Sequence, residues 1–151
     1  MKLLAVRARS RRELSDRLLS MGFAPVAVEK VDVRLAEMGL VDDVEFALGR
    51  VRHLLSRGRS ASAMKRDLAS RGVPDEVIDS SVDVLEDEGG DRERAVALAR
   101  RRAETCGHLP PEKAFGRVAR YLCSQGYEAE VAEEVCREVF EDWGRGHQVA
   151  Q

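Results

Sequence analysis

The chain has few aromatic residues, prolines, glycines and cysteines, and these shortages narrow its structural class. Aromatic residues make up 5% of the 151 residues, which include 12 glycines and 4 prolines. Runs of Ile, Thr, Tyr and Phe, which favour strands, are missing. Leu, Val, Ala, Arg and Glu dominate instead. The composition therefore favours helices.

Long apolar runs are missing as well. No apolar stretch approaches the roughly 18 residues of a membrane span. The first residues are too short an apolar run, and too soon charged, for a signal peptide. Cys106, Cys123 and Cys136 are an odd number of cysteines without close spacing. Free thiols in a reducing cytoplasm are therefore expected, with Cys123 and Cys136 as small buried residues.

Motifs for catalysis or metal binding are also missing. The sequence contains neither the phosphate-binding pattern G-x-x-x-x-G-K-[ST] nor the dinucleotide pattern G-x-G-x-x-G. His53, His108 and His147 lie far apart, and Cys106 with His108 lacks the second ligand pair of a zinc site. We therefore predict a binding protein with no enzymatic activity, no cofactor and no metal.

The strongest signal in the sequence is an internal repeat. At an offset of 50 residues the first part of the chain matches the second, and at an offset of 54 the second matches a third. The matched sets are Leu4 and Leu54, Arg7 and Arg57, Arg9 and Arg59, Ser10 and Ser60, Leu18, Leu68 and Leu122, and Gly22, Gly72 and Gly126. We therefore predict three related repeats.

Each repeat is predicted to contain a lead, a middle and a closing helix. Ser10 and Glu13 form a capping box for the first middle helix, Ser60 caps the second, and Asp42 caps the second lead helix. A glycine ends each middle helix. Leu18, Leu68 and Leu122 occupy the same register, and each is expected to be buried between a middle and a closing helix.

The predicted fold is all-α, with three tandem three-helix repeats forming an elongated, curved array. The repeats cover residues 1–39, 40–89 and 90–143, and residues 144–151 form a flexible tail. The lead helix of the first repeat is truncated, because its counterpart would begin before Met1.

Basic residues concentrate where lead helices meet middle helices. The net charge is −2, but stacking with a constant rotation would align these junctions on one face. Such a face suits nucleic-acid phosphates or an acidic protein groove, and ordinary solvated surface is the alternative. The candidate partner-binding residues are Arg7, Arg9, Arg11, Arg12, Arg57, Arg59, Lys65, Arg66, Arg71, Arg101, Arg117 and Arg120.

Three segments resemble the RecX family of regulators of the RecA recombinase. They are Leu-Ala-Val-Arg-Ala-Arg-Ser-Arg-Arg-Glu-Leu at 4–14, Gly-Leu-Val-Asp-Asp-Val-Glu-Phe-Ala at 39–47 and Tyr-Leu-Cys-Ser-Gln-Gly-Tyr at 121–127. The resemblance implies a protein that lies in the groove of the RecA–DNA filament and restrains ATP hydrolysis, strand exchange and coprotease activity. The short first lead helix and the slightly acidic net charge depart from the family pattern.

Two other functions remain open. The first is direct DNA binding through units that resemble a helix-turn-helix, and the second is a helical-repeat adaptor that binds protein only. The basic helices favour DNA binding, whereas the near-neutral charge and the scarcity of aromatic residues disfavour it. For each function we expect a cytoplasmic monomer that does not contact membranes.

Overall fold

The structure, a computed structural model, describes residues 7–84 and 89–148, with side chains through residue 143. Over these residues the chain forms eight α-helices and no strand, which confirms the predicted all-helical array. None of the described helices is long and apolar enough to cross a membrane. The helices are α1 (Arg11–Ser20), α2 (Pro25–Glu37), α3 (Asp43–Ser56), α4 (Ala61–Ser70), α5 (Asp75–Asp83), α6 (Asp91–Thr105), α7 (Pro111–Ser124) and α8 (Ala129–Gln148).

The middle helices α1, α4 and α7 end in the same backbone arrangement. Gly22, Gly72 and Gly126 adopt φ values of 91°, 73° and 99°. The following residue donates its N–H to a leucine carbonyl in the last turn of the helix. These bonds run from Phe23 to Leu18 at 3.3 Å, from Val73 to Leu68 at 3.2 Å and from Tyr127 to Leu122 at 3.2 Å. The Leu-x-x-x-Gly-apolar pattern therefore specifies one local structure in three places.

The predicted helix caps are present. Ser10 and Glu13 form the complete capping box at the start of α1. The Ser60 hydroxyl accepts a hydrogen bond from the Ala63 N–H at 3.2 Å. Asp42 accepts from the N–H groups of Val44 at 2.9 Å and Glu45 at 3.3 Å. These side chains satisfy N–H groups that the first turn of a helix leaves without a partner.

The helices group into two compact units. Unit 1 comprises Met1–His53 and Met64–Val84, and unit 2 comprises Leu54–Ala63 and Leu85–Gln151. These bounds differ from the three predicted repeats, because the second repeat contributes to both units. Helix α8 continues to Gln148, into the segment for which a tail was predicted. The predicted first lead helix at residues 1–6 and the last three tail residues, 149–151, lie outside the described residues.

Core burial is uneven among the three equivalent leucines. Leu68 and Leu122 are fully buried, as predicted, whereas Leu18 is half-buried. The prediction was wrong for Leu18 because α1 and α2 each bury a single residue, Leu14 and Val28, which leaves the other apolar side chains of both helices partly exposed. The first repeat therefore contributes less to the core than the other two.

The cysteines of unit 2 differ in exposure. Cys136 is buried as predicted, and burial raises the pKa of its thiol to about 11. Cys123 is exposed, so the prediction of a buried residue was wrong. It lies on the outer side of α7, next to the fully buried Leu122, and helical periodicity turns neighbouring side chains in different directions.

Candidate partner-binding surfaces

The capping serine of the first repeat also contacts the second repeat. Within unit 1, the Ser10 hydroxyl accepts from the Glu13 N–H at 3.1 Å and donates to the carbonyl of Arg71, at the end of α4. Ser10 is fully buried. The amino end of α1 therefore packs on the carboxyl end of α4, and we call this contact the first repeat interface.

A contact between the equivalent residues recurs in unit 2, with the serine N–H as the donor in place of the hydroxyl. The Ser60 N–H donates to the carbonyl of Gln125, at the end of α7, at 3.0 Å. The Arg59 guanidinium donates to the neighbouring Ser124 carbonyl at 2.8 Å. Ser60 is 1% exposed. The amino end of α4 thus packs on the carboxyl end of α7, which forms the second repeat interface.

An aspartate at the start of a lead helix completes each interface. Asp43 accepts from the Arg11 N–H at 3.0 Å in unit 1, and Asp91 accepts from the Ala61 N–H at 2.9 Å in unit 2. Each carboxylate caps the middle helix of the preceding repeat. The Asp42-Asp43 pair therefore has divided roles, since Asp42 caps its own helix and Asp43 caps α1.

A chain of ion pairs reinforces the first interface. The Arg71 guanidinium donates to Glu13 at 2.8 Å and to Asp67 at 3.0 Å. Arg50 binds Asp67 through two bonds of 2.8 and 2.9 Å. Hydrogen bonding from Arg50 is the main cause that lowers the pKa of Asp67. Arg71 therefore has a structural position within unit 1, although the sequence placed it among the partner-binding residues.

Other candidate residues of unit 1 also contact acids. Arg11 binds Asp32 at 2.8 Å, and this hydrogen bond raises the pKa of Arg11. The remaining pairs are Arg7 with Glu13 at 3.6 Å, Arg12 with Asp16 at 3.9 Å and Lys65 with Asp79 at 2.8 Å. Arg9 and Arg66 have interactions as well. Exposed pairs of this kind contribute little to stability and separate readily when a partner binds.

Arg7 and Arg9 lie beside α3 in a groove of unit 1. The groove has a volume of about 820 Å³. Basic, acidic and apolar side chains all line it. The basic residues are Arg7, Arg9, Arg50, Arg52 and His53, the acidic ones are Asp42 and Glu45, and the apolar ones are Leu40, Val41 and Phe46. Because carboxylates accompany the arginines, this groove is only weakly selective for an anionic partner.

The cleft of unit 2 has a different charge. It has a volume of about 320 Å³ and is lined by Ser56, Arg57, Gly58, Leu98, Arg101, Arg102, Thr105 and Tyr121. Three of these residues are arginines and none is acidic. Arg102 lies over the Tyr121 ring, with its guanidinium carbon 4.8 Å from the ring centroid. We call this site the arginine cleft.

Exposed basic residues continue along α7. Arg117 and Arg120 are both exposed, and their spacing of three places them on one face of the helix. Among the described residues, no ion pair is found for Arg57, Arg101, Arg117 or Arg120. The structure thus leaves these four exposed candidates of unit 2 without an acidic partner, while most candidates in unit 1 contact nearby groups.

Sequence reasoning missed two residues of the cleft, Arg102 and Tyr121. No short sequence pattern marks this pair, because 19 positions separate the two residues and only the packing of α6 on α7 brings them together.

The sequence did not predict a metal site. In the described part of the chain, no group of three or more His, Cys, Asp or Glu side chains could hold a metal ion.

Comparison with known proteins defines the class to which these repeats belong. Models of the first and second three-helix domains of RecX match residues 1–35 and 42–81. The chain is 40% identical over 141 residues to the regulatory protein RecX of Mycobacterium sp. (strain JLS), covering 89% of this chain and 76% of the relative. It is 40% identical over 131 residues to that of Chromohalobacter salexigens, covering 85% and 82%.

A solved structure supports the same assignment of fold. The crystal structure of RecX from Lactobacillus salivarius matches with a TM-score of 0.73 over 91% of this chain and 90% of that chain, at 19% identity. At this low identity the match shows the fold alone. The 40% identity to the two relatives over most of the chain shows the family as well, and the chain belongs to the RecX family.

Proposed function

We propose that this chain regulates the RecA recombinase, mainly as an inhibitor, by binding in the groove of the RecA–DNA filament. Family membership supports the regulatory role, since the relatives are named regulatory protein RecX. In this proposal the chain acts by binding, and the bound protein restrains ATP hydrolysis, strand exchange and coprotease activity.

The arginine cleft is the observation that carries the proposed contact. Arg57, Arg101 and Arg102 line one small cleft without an acidic neighbour in the lining. Like charges gathered in this way raise the local positive potential and attract an anionic group. Guanidinium groups bind carboxylates and phosphates through paired hydrogen bonds. The cleft and the exposed Arg117 and Arg120 are therefore the proposed contact surface for the filament.

Inhibition of RecA ATP hydrolysis on single-stranded DNA tests this proposal. The double variant Arg57→Ala/Arg101→Ala should keep its helical content and require at least about tenfold more protein for half inhibition, a loss of about 1.4 kcal/mol. The matched control is Arg34→Ala/Arg137→Ala, which removes two exposed charges outside the cleft. Equal inhibition by all three proteins across a salt series would refute the cleft as the contact surface.

A DNA-binding measurement without RecA separates the proposal from direct DNA binding. Direct binding by wild type, lost in the cleft variant with a shallower salt dependence, would favour a DNA-binding protein. One feature of the cleft disfavours stacking of an unpaired base, because Arg102 already covers one face of the Tyr121 ring. The expected result is weak binding to free DNA and stronger binding to the RecA filament.

A further inference from the structure

The carboxyl end of the first middle helix matches its two counterparts in backbone but not in exposure. Val73 is 4% exposed and Tyr127 is 5% exposed, whereas Phe23 at the same position is 52% exposed. The ends of α4 and α7 also contact the start of the preceding middle helix at the two repeat interfaces. The end of α1 therefore has the backbone arrangement of a repeat interface, but no described helix end packs against it.

The glycines show the same difference. A Cβ atom on Gly126 would lie 2.5 Å from the Ala63 Cβ, and one on Gly72 would lie 2.1 Å from the Arg12 Cδ. At Gly22 no described residue comes within 4 Å of that position. Two of the three equivalent surfaces thus receive a helix end, and the described residues supply none for the third.

The residues around Gly22 are apolar only in the first repeat. Leu19, Met21 and Val26 are 43%, 54% and 64% exposed. At the same positions the second repeat has Ala69, Arg71 and Glu76, and the third has Cys123, Gln125 and Glu130. With Phe23, these three residues form a patch that we call the open end of α1. Contiguous apolar patches of this kind mark protein contacts, because covering them removes apolar area from water.

The two repeat interfaces indicate which structure fits there. In both, the cover is the amino end of a helix whose capping serine is almost completely buried, at 0% for Ser10 and 1% for Ser60. The serine also contacts the chain at the end of the receiving helix, at Arg71 or Gln125. A serine-capped helix end is therefore the element that this surface accepts.

A second copy of this chain does not provide that element through its third repeat. Helix α7 begins at Pro111, with Pro110 at its capping position and no side-chain cap. Neither proline has the N–H group that Ser60 and Ala61 use in the second interface. The other two serine-capped ends, at α1 and α4, already contact their own chain. The described part of this chain therefore holds no unoccupied serine-capped helix end for this surface.

We propose that the open end of α1 docks the amino end of a serine- or threonine-capped helix from a partner protein. The partner helix takes the place that α1 takes on α4 and that α4 takes on α7. Its cap lies beside Gly22, and an apolar side chain of its first turns covers Phe23. This site is separate in sequence from the arginine cleft and does not depend on it.

A peptide with the sequence of residues 57–70, the chain's own docking element, is the probe. Titration into the isotope-labelled full chain should shift the amide signals of Gly22 and Phe23 and leave those of α6 unchanged. The same peptide with Ser60→Pro, which copies the proline at the start of α7, should give no shifts at equal concentration. The Phe23→Glu protein should also show none, whereas the control Val33→Glu, at a residue that is 47% exposed on α2, should bind as wild type does.

Two results would overturn the proposal. The first is the absence of peptide-dependent shifts at Gly22 at millimolar peptide. The second is a wild-type dimer that Phe23→Glu dissociates, because that result would assign the open end to a second copy of the chain. Both measurements use folded protein, since Phe23 is about half exposed and circular dichroism of the variant checks its helical content.

Discussion

The three equivalent glycines allow the repeat interfaces to be tested with one methyl group. Alanine at Gly22, Gly72 or Gly126 would have to adopt a positive φ, which costs about 1 kcal/mol for a residue with a side chain. This cost is common to all three positions. Any difference between the variants therefore reports on what each new methyl group contacts.

The contacts predict an order of destabilisation. At Gly126 the methyl would meet the Ala63 Cβ at 2.5 Å and the Ser60 Oγ at 2.7 Å. The Ala63 Cβ is bonded to the backbone and cannot move alone, and moving the Ser60 Oγ would break its capping bond, so overpacking adds about 1–3 kcal/mol. At Gly72 the methyl would meet the Arg12 side chain, including its Cβ at 2.6 Å, which is also bonded directly to the backbone, so a loss similar to that at Gly126 is expected. At Gly22 it meets none of the described residues. We expect losses of about 2–4 kcal/mol for Gly126→Ala and about 1 kcal/mol for Gly22→Ala.

Urea unfolding followed by two signals provides the measurement. Helical circular dichroism reports on the whole chain, and the fluorescence of the single tryptophan, Trp143, reports on unit 2. Gly126→Ala should move the fluorescence transition to lower urea, and Gly22→Ala should leave that transition nearly unchanged. Equal losses for the two variants would refute the assignment of a buried second interface and an open first end.

Three further predictions test the core, the ion pairs and the second interface. Leu68→Ala should lower the free energy of unfolding by about 2–5 kcal/mol, and Leu18→Ala should lower it less, because Leu18 is half-buried. Equal losses of unfolding free energy in urea titrations of the two variants would contradict the uneven core. Asp67 has a lowered pKa in the folded state, so it stabilises the fold above its unfolded pKa of about 3.9 and loses this effect as the pH falls through the folded value. Asp67→Asn should therefore flatten the acid side of the stability curve, and an unchanged acid side would argue against the pair with Arg50. Arg59→Ala should cost about 0.5–1.5 kcal/mol, because it removes one hydrogen bond to the Ser124 carbonyl, whereas Arg57→Ala should leave stability unchanged.

Helix ends could be predicted from the sequence because their causes are local. Ser10 and Glu13 lie three residues apart and form the predicted capping box. The glycine after each middle helix likewise acts on the last turn of that helix. Each of these signals involves side chains and backbone groups within one turn, so a short segment of sequence is sufficient.

Contacts between repeats could not be predicted in the same way. Arg71 and Glu13 are 58 residues apart, and Asp43 caps a helix that begins 32 residues before it. No short pattern distinguishes an arginine that meets a distant carboxylate from one that stays in solvent. The candidate list therefore combined Arg71, which belongs to an internal ion network, with Arg57, which lines the arginine cleft.

The second interface also explains part of the repeated arginine pattern. Arg9 and Arg59 recur at the same position, and Arg59 holds the carbonyl of Ser124 at the end of the receiving helix. A residue that joins successive repeats has a structural reason to recur after duplication. Arg57 has no such contact among the described residues and shares a cleft with two other arginines. The arginines with a structural role have acceptors within their own unit, namely the Ser124 carbonyl for Arg59 and the carboxylates of Glu13 and Asp67 for Arg71. Because the arginine cleft includes no carboxylate in its lining, only solvent and mobile ions screen its charges there, and an acidic group would gain from binding in it.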